Sequence, residues 1–354
     1  DWLLDGSSAS HDIEVGFRYH EDEEDRLQRS DKYTQIDQTL ILDSIGVTGG
    51  NKNNRVVQAE ALAIYIKDDI AFGDFIVTPG VRFEDIKLER RDWSTLPRNT
   101  TPSLKQNSVT AVLPSIGVLY NVNDNLSLLA GAYNGFGTPT TTSGVEEEQA
   151  LNVELGGRYQ QADLMIELIA FTSDYENLVG ECTASSSTSD CDIGDQFNGG
   201  QATVRGLEFQ LTNSFQLTDS TTMPVSIAYT YTDAEFDSTF DGEFFGDVSK
   251  GDPIPYIPEN QVALALGLEN GPYSINANLN YVDAVCVKAS CVDFEKTDDS
   301  TVLNLVGNYQ VNDNLGVYLR LENITDEADI IARQPKGARP NKARSATLGM
   351  RLVF

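Results

Sequence analysis

The residues able to do chemistry in this chain are few in kind and unevenly placed. Only two histidines occur in the 354 residues, His11 and His20. A Ser/His/Asp hydrolase needs an imidazole set between a carboxylate and a nucleophile, and a multi-histidine zinc site needs several. Neither fits, so no catalytic residue is assigned and the chain does not read as an enzyme. Both histidines fall on or beside the first strand-like segment, where a structural or solvated role is the plain reading. The four cysteines form two close pairs, Cys182 with Cys191 and Cys286 with Cys291. In an exported chain an even count in such pairs favours two local disulfides. A four-thiolate metal site is the rival, but the spacings lack the C-x-x-C form.

Charge comes in clusters. Glu21-Asp22-Glu23-Glu24-Asp25 and Glu146-Glu147-Glu148 are acidic runs. Solvated faces are the plain reading; clustered hard oxygens that hold calcium are the sharper one, and metal binding stays open. Against this background the basic positions stand out: Arg26, Arg29, Arg90, Arg91 and Arg98, then Arg333, Lys336, Arg339, Lys342 and Arg344. A guanidinium fork donates two parallel hydrogen bonds to carboxylate or phosphate.

The elements that must hold these residues follow from patterning. Lys+Arg 25 against Asp+Glu 54 gives a net charge of -29. A nucleic-acid binder needs a basic face, so that class is excluded. With 40% hydrophobic residues the chain is too apolar to be disordered. No stretch approaches the ~18 apolar residues of a membrane helix, yet a membrane barrel hides its apolar surface in every second residue.

That alternation is everywhere. In Tyr273 to Tyr281, Tyr273, Ile275, Ala277, Leu279 and Tyr281 share one side of a strand. Ser274, Asn276, Asn278 and Asn280 share the other. Leu62/Ile64/Ile66, Leu151/Val153/Leu155, Val262/Leu264/Leu266/Leu268 and Leu348/Met350/Leu352 repeat the pattern. The opposite faces carry charges that a dry sandwich core would have to neutralise. About fourteen strands of ~10 residues are expected. Short Asn/Asp/Gly turns lie near residues 71–74, 121–125, 160–163, 269–272 and 312–314. Long loops are expected at about 21–54, 89–108, 136–148, 173–202, 233–258, 283–300 and 325–344. The fold class is therefore all-β: a transmembrane, antiparallel, up-and-down β-barrel. No linker divides it, and residues 1–354 read as one domain.

Particular segments then resemble a known family. Ala61 to Ile86, A-L-A-I-Y-I-K-D-D-I-A-F-G-D-F-I-V-T-P-G-V-R-F-E-D-I, is similar to a mid-barrel hairpin of TonB-dependent outer-membrane receptors. L-R-L-E-N-I-T-D-E (Leu319 to Glu327) resembles their penultimate segment. G-A-R-P-N-K-A-R-S-A-T-L-G-M-R-L-V-F (Gly337 to Phe354) resembles their last strand, terminal Phe included. Leu113 to Tyr159 fits as well. Segments Glu14 to Tyr19 and Thr78 to Ile86 most resemble the ferric dicitrate receptor group.

The resemblance implies a barrel of about 22 strands with a plug domain in its lumen. This chain carries no plug-like segment and begins at Asp1 as if cut from something longer, so it is expected to be the C-terminal part of a barrel. The implied function is outer-membrane uptake of a ferric siderophore, ferric citrate among the candidates. The TonB–ExbB–ExbD complex would energise it through the missing N-terminal part. The chelate is cargo and no cofactor is implied, calcium aside. Arg333 and Arg339 are the expected ligand contacts, with Arg90, Arg91 and Arg98 behind them. Arg90, Arg91 and Arg344 have a plainer reading, as partners of local acids or of lipopolysaccharide phosphate. A passive, porin-like diffusion channel is the alternative; it requires the first strand to pair with the last. A soluble or secreted β protein is a third reading.

Overall fold

The alternating segments form antiparallel ladders. The computed structural model describes all residues except 1, 7, 47–52, 95, 143, 182–195, 199, 243–244, 334–336 and 354. Fifteen strands make one sheet whose spatial order is its sequence order. They are β1 (Trp2–Asp5), β2 (Ser10–Gln28), β3 (Asn53–Phe72), β4 (Phe75–Asp92) and β5 (Ser103–Asn121). β6 (Leu126–Gly137), β7 (Glu148–Gln161), β8 (Leu164–Glu176), β9 (Ala202–Thr218) and β10 (Thr221–Phe236) follow. β11 (Asn260–Asn270), β12 (Tyr273–Val282), β13 (Ser300–Asn312), β14 (Leu315–Glu322) and β15 (Ser345–Leu352) complete the sheet.

Every expected short turn is present, and a further one joins β9 to β10. Gly73 and Gly271 adopt φ of +57° and +52°, a region that only glycine enters without a Cβ penalty. Asn312 Oδ1 accepts from the backbone N–H groups of Asn314 and Leu315, each at 3.0 Å, an Asx turn that closes β13 onto β14.

One face of the sheet is apolar and uncovered. Phe17 is 70% exposed, Ile275 49% and Leu348 76%, while Leu264 is half-buried. Aromatic rings mark the short-turn end of this belt. Phe72, Phe75 and Tyr120 stack there, and so do Tyr273 and Tyr309, with centroids 4.7 Å apart. The register shows where the belt ends on the loop side. Phe17, Ile64, Phe83 and Val112 form one cross-strand row. The next row is Tyr19, Leu62, Asp85 and Thr110; the one beyond is Glu21, Glu60, Lys87 and Ser108. Side chains on one unbroken face thus change from apolar to charged within two rows, as at a hydrocarbon edge.

Two expectations are corrected. First, β2 to β5 run 18 to 20 residues, well into the segments assigned to loops. Glu21–Asp25, Arg26, Arg90 and Arg91 are ladder residues. Hydrophobic alternation stops where lipid stops, but backbone pairing needs no lipid and continues. Second, the first-to-last strand pairing that the diffusion-channel alternative requires is absent among the described residues. Along β1 the partner is β2, along β15 it is β14, and these two edges do not pair with each other among the described residues. Fifteen strands stand where about fourteen were expected; the addition is the four-residue β1.

A buried apolar cluster lies at the loop end of the sheet, where β9 begins and β10 ends. Phe236, Phe245, Val248, Ala202 and Ala289 bury one another, with Phe240 and Ile254 against them. Parts of the β10–β11 and β12–β13 connections are therefore packed structure.

Candidate ligand-binding site

The loop end of β12 to β15 holds the most developed site. It begins at Asn323, which ends β14 with φ +49° and is 2% exposed. Its amide Nδ2 donates to Glu327 O at 2.8 Å and Lys342 O at 2.9 Å, and its Oδ1 accepts from Glu327 N at 3.0 Å. Both feet of the last loop are fastened by this one side chain. Within the loop, a hairpin of Ile330–Ala332 and Arg339–Pro340 folds back over the sheet. Asp329 fixes it: its Oδ2 accepts from Ser300 Oγ at 2.7 Å and Asn341 Nδ2 at 3.2 Å. Asp298 Oδ2 accepts from Ile330 N at 2.7 Å and ties the hairpin to the preceding loop. That loop is closed by the Cys286–Cys291 disulfide and by Thr297, whose Oγ1 accepts from Val285 N at 2.9 Å.

Together these pieces line an open cavity of about 380 Å³. Val282, Val285, Val302 and Ile331 give it an apolar wall; Asp283, Asp298 and Asn341 supply polar groups. Burial opposes the charge on Asp283, but hydrogen bonds from Tyr281 and Asn260 outweigh it and hold the carboxyl below its usual range. Asn341 Oδ1 is buried and has no hydrogen-bond partner among the described residues.

The expected ligand arginines divide between this site and the far side of the sheet. Arg333 and Arg339 border the cavity's hairpin, and Arg339 lies across the ladder from Ala332. The Arg333 guanidinium stacks 5.2 Å from the Phe294 ring centroid and its Nε donates to Lys296 O. Arg339 is exposed. Arg90, Arg91 and Arg98 belong with β2 to β4 instead. Arg90 pairs with Asp92 at 2.8 Å and Arg91 with Glu89. Arg98 grips Asp25 with both Nη atoms, at 2.9 and 2.6 Å, and stacks over Trp93. The Arg98 guanidinium holds the Asp25 carboxyl below its usual range. Register places Arg91 on the belt face, above the belt, beside a groove of about 550 Å³ with Glu60, Lys87 and Gln106. Lys342 and Arg344 pair with Glu322 and Asp326 at 2.7 and 2.5 Å.

The acidic run is split by its strand. Glu21, Glu23 and Asp25 point to one face, Asp22 and Glu24 to the other, and neighbours on a face lie about 7 Å apart. Among the described residues no three His, Cys, Asp or Glu side chains converge on a metal position. His11 pairs with Asp68 at 2.8 Å and His20 with Asp22. Cys182, Cys191, Lys336 and Phe354 lie outside the described residues. Asn341, Asp298 and Ser300 were not singled out in sequence; the cavity joins loops distant in the chain, and no local pattern marks them.

A family model described as TonB dependent receptor-like, beta-barrel, matches residues 2–324. The chain belongs to this family. Its members are outer-membrane proteins, and the absence of any helix long and apolar enough to cross a membrane says nothing against strands that do. The metal-pseudopaline receptor CntO of Pseudomonas aeruginosa is 24% identical over 290 residues, covering 78% of this chain and 38% of that protein. The siderophore receptor PiuA from Acinetobacter baumannii shares the fold with a TM-score of 0.76 at 18% identity, covering 99% of this chain and 54% of its own. The ferric citrate transporter FecA follows with a TM-score of 0.73 at 21% identity, over 98% and 52%. The chain spans well under half the length of its curated relatives and about half that of the solved receptors. These relatives are transport receptors and not enzymes.

Proposed function

We propose that this chain forms the barrel wall and outer binding surface of a receptor that imports ferric siderophores across the outer membrane of a Gram-negative bacterium. The TonB–ExbB–ExbD complex energises the step through parts of the protein beyond these residues. The observation that carries the reading is the uncovered apolar belt, backed by a polar face and bounded by aromatic rings, on a chain of the TonB-dependent family. The chelate is taken at the loop end, where Arg333 and Arg339 stand beside a preformed cavity. Ferric citrate is the narrower reading, supported by the likeness of Glu14 to Tyr19 and Thr78 to Ile86 to that receptor group. The fold likeness to PiuA is equally close, so the class is kept at ferric siderophores. Lys87 and Arg91, outward and just above the belt, suit the phosphates of outer-leaflet lipopolysaccharide. The passive-channel reading needs β1 to pair with β15, and no observation favours it.

Uptake of radiolabelled iron by cells expressing the full-length protein tests the proposal. Accumulation from a siderophore panel that disappears on deletion of TonB is expected. Accumulation that survives the deletion would support passive diffusion instead.

A further inference from the structure

Positive charge gathers on the face opposite the belt, where β2 to β5 rise above it. Register sets two rows there. One is Glu24, Val57, Arg90 and Lys105; the next toward the loops is Arg26, Arg55, Asp92 and Ser103. Arg26 thus stands directly across the ladder from Arg55, and Arg90 directly across from Lys105. Like charges opposite one another on paired strands are destabilising. Two such pairs lie in adjacent rows of a chain whose net charge is -29.

The Arg26–Arg55 pair is the weakly compensated part. Among the described residues its acid is Glu24, 3.9 Å from Arg26 Nη1 and 3.8 Å from Arg55 Nη2, both beyond hydrogen-bond reach. Asp92 binds Arg90 instead, at 2.8 Å. Burial and the charges of Arg90 and Arg26 hold the Arg55 guanidinium below its ordinary range, against the pull of Glu24 and Asp92. The Arg26 side chain is 45% exposed, so an incoming anion can reach it, while Arg55 and Arg90, each 12% exposed, add to the field from covered positions. Below these rows on β4 and β5 the same face is closed. Ile86, Val109 and Ala111 are buried there, and Asn107 Nδ2 donates to the carbonyls of Thr140, Thr142 and Val145 in the β6–β7 connection. The open part of this face on these two strands is therefore its upper corner.

We propose that Arg26 and Arg55, backed by Arg90 and Lys105, form an oxyanion site that takes a carboxylate of the imported ligand. A carboxylate placed between the two guanidiniums relieves their repulsion and accepts paired hydrogen bonds from a fork. The face is the water side of the sheet, so the oxyanion comes from a solute and not from lipid. The inference rests on the receptor reading for the identity of that solute, and it adds a second basic flank to the one at Arg333 and Arg339.

Tricarballylate, a trianion, and its trimethyl ester, the same skeleton without charge, are the probes. Their binding to the full-length protein in detergent is measured by isothermal titration calorimetry at low salt. The background carries Arg333→Gln and Arg339→Gln, which removes the other basic flank. Tricarballylate is expected to bind and the ester not. Arg26→Gln with Arg55→Gln should weaken tricarballylate at least about ten-fold. Glu24→Gln removes the competing acid and should tighten it about three-fold, a gain that a merely structural role of these residues would not give. Heat-modifiable gel migration confirms a folded barrel in each variant. Equal binding of the ester, tricarballylate binding unchanged in the double arginine variant, or binding lost in Glu24→Gln overturns the inference. TonB-dependent iron uptake is scored separately. Uptake of a ferric chelate without tricarballylate binding sinks the corner site alone; binding at the corner without import of any ferric chelate sinks the receptor reading.

Discussion

Asn323→Ala should release the last loop while leaving the sheet intact, and its size can be worked from the contacts. The side chain makes three bonds of 2.8 to 3.0 Å to the backbone of Glu327 and Lys342 at a site 2% exposed. Their loss leaves two carbonyls and one N–H without those partners. At about 1 kcal/mol per bond, and more where the orphaned group stays dry, this amounts to about 3 kcal/mol. Asn323 also sits at φ +49°, where alanine costs about 1 kcal/mol more than asparagine. The opening free energy of residues 323–344 should fall by about 4 kcal/mol, which is about a thousand-fold faster exchange. Hydrogen exchange read by mass spectrometry on the full-length protein would report it, with peptides from β11 and β12 as internal controls. Acceleration below about five-fold in this loop would refute the clamp. Equal acceleration in β12 would show that Asn323 supports the sheet as a whole.

Other expectations follow from the same structure. Leu266→Arg, on the belt face opposite Ala277, should cost about 2 to 4 kcal/mol in unfolding from lipid vesicles, whereas Ala265→Arg on the polar face should cost far less. The Asp25–Arg98 pair fixes the loop that carries Trp93. Because the folded Asp25 carboxyl titrates lower than in an unfolded chain, its contribution is full above the ordinary aspartate range and fades as pH falls through the lower folded value. Trp93 fluorescence should therefore shift only below that ordinary range, and Asp25→Asn should erase the transition. Reduction of Cys286–Cys291 should cost about 2 kcal/mol by the loop-entropy model, felt as protease sensitivity within residues 283–299 and not in the strands.

The sheet was legible because a bilayer writes its own pattern: the rows through Phe17, Leu266 and Leu348 alternate, and the tight turns carry Gly, Asn and Asp where positive φ or Asx bonding demands them. The upper wall was not legible for the same reason. At Glu21 and Lys87 the outward side chain meets water, the alternation of polarity ends, and a ladder that continues resembles a loop. The packed cluster escaped notice because Phe245 and Val248 of the β10–β11 connection are buried with Ala202 and Ala289, which lie far from them in the chain. Arg90 and Arg91 read as partners of local acids, and Asp92 and Glu89, two residues away along the strand, take them up; the partner of Arg98, Asp25, lies 73 residues away and no spacing reveals it. Asn341 acquires its meaning only from Asp329 and the cavity beside it.

The central claim is that one side of these strands touches hydrocarbon and the other water. Its most direct test places single cysteines at successive positions 274 to 279 of β12, in a variant whose native cysteines are serine, each labelled with a fluorophore in proteoliposomes. Nitroxide-bearing lipids should quench the labels at 275, 277 and 279, and aqueous iodide those at 274, 276 and 278. Quenching that does not alternate, or iodide reaching both sets alike, would contradict the account.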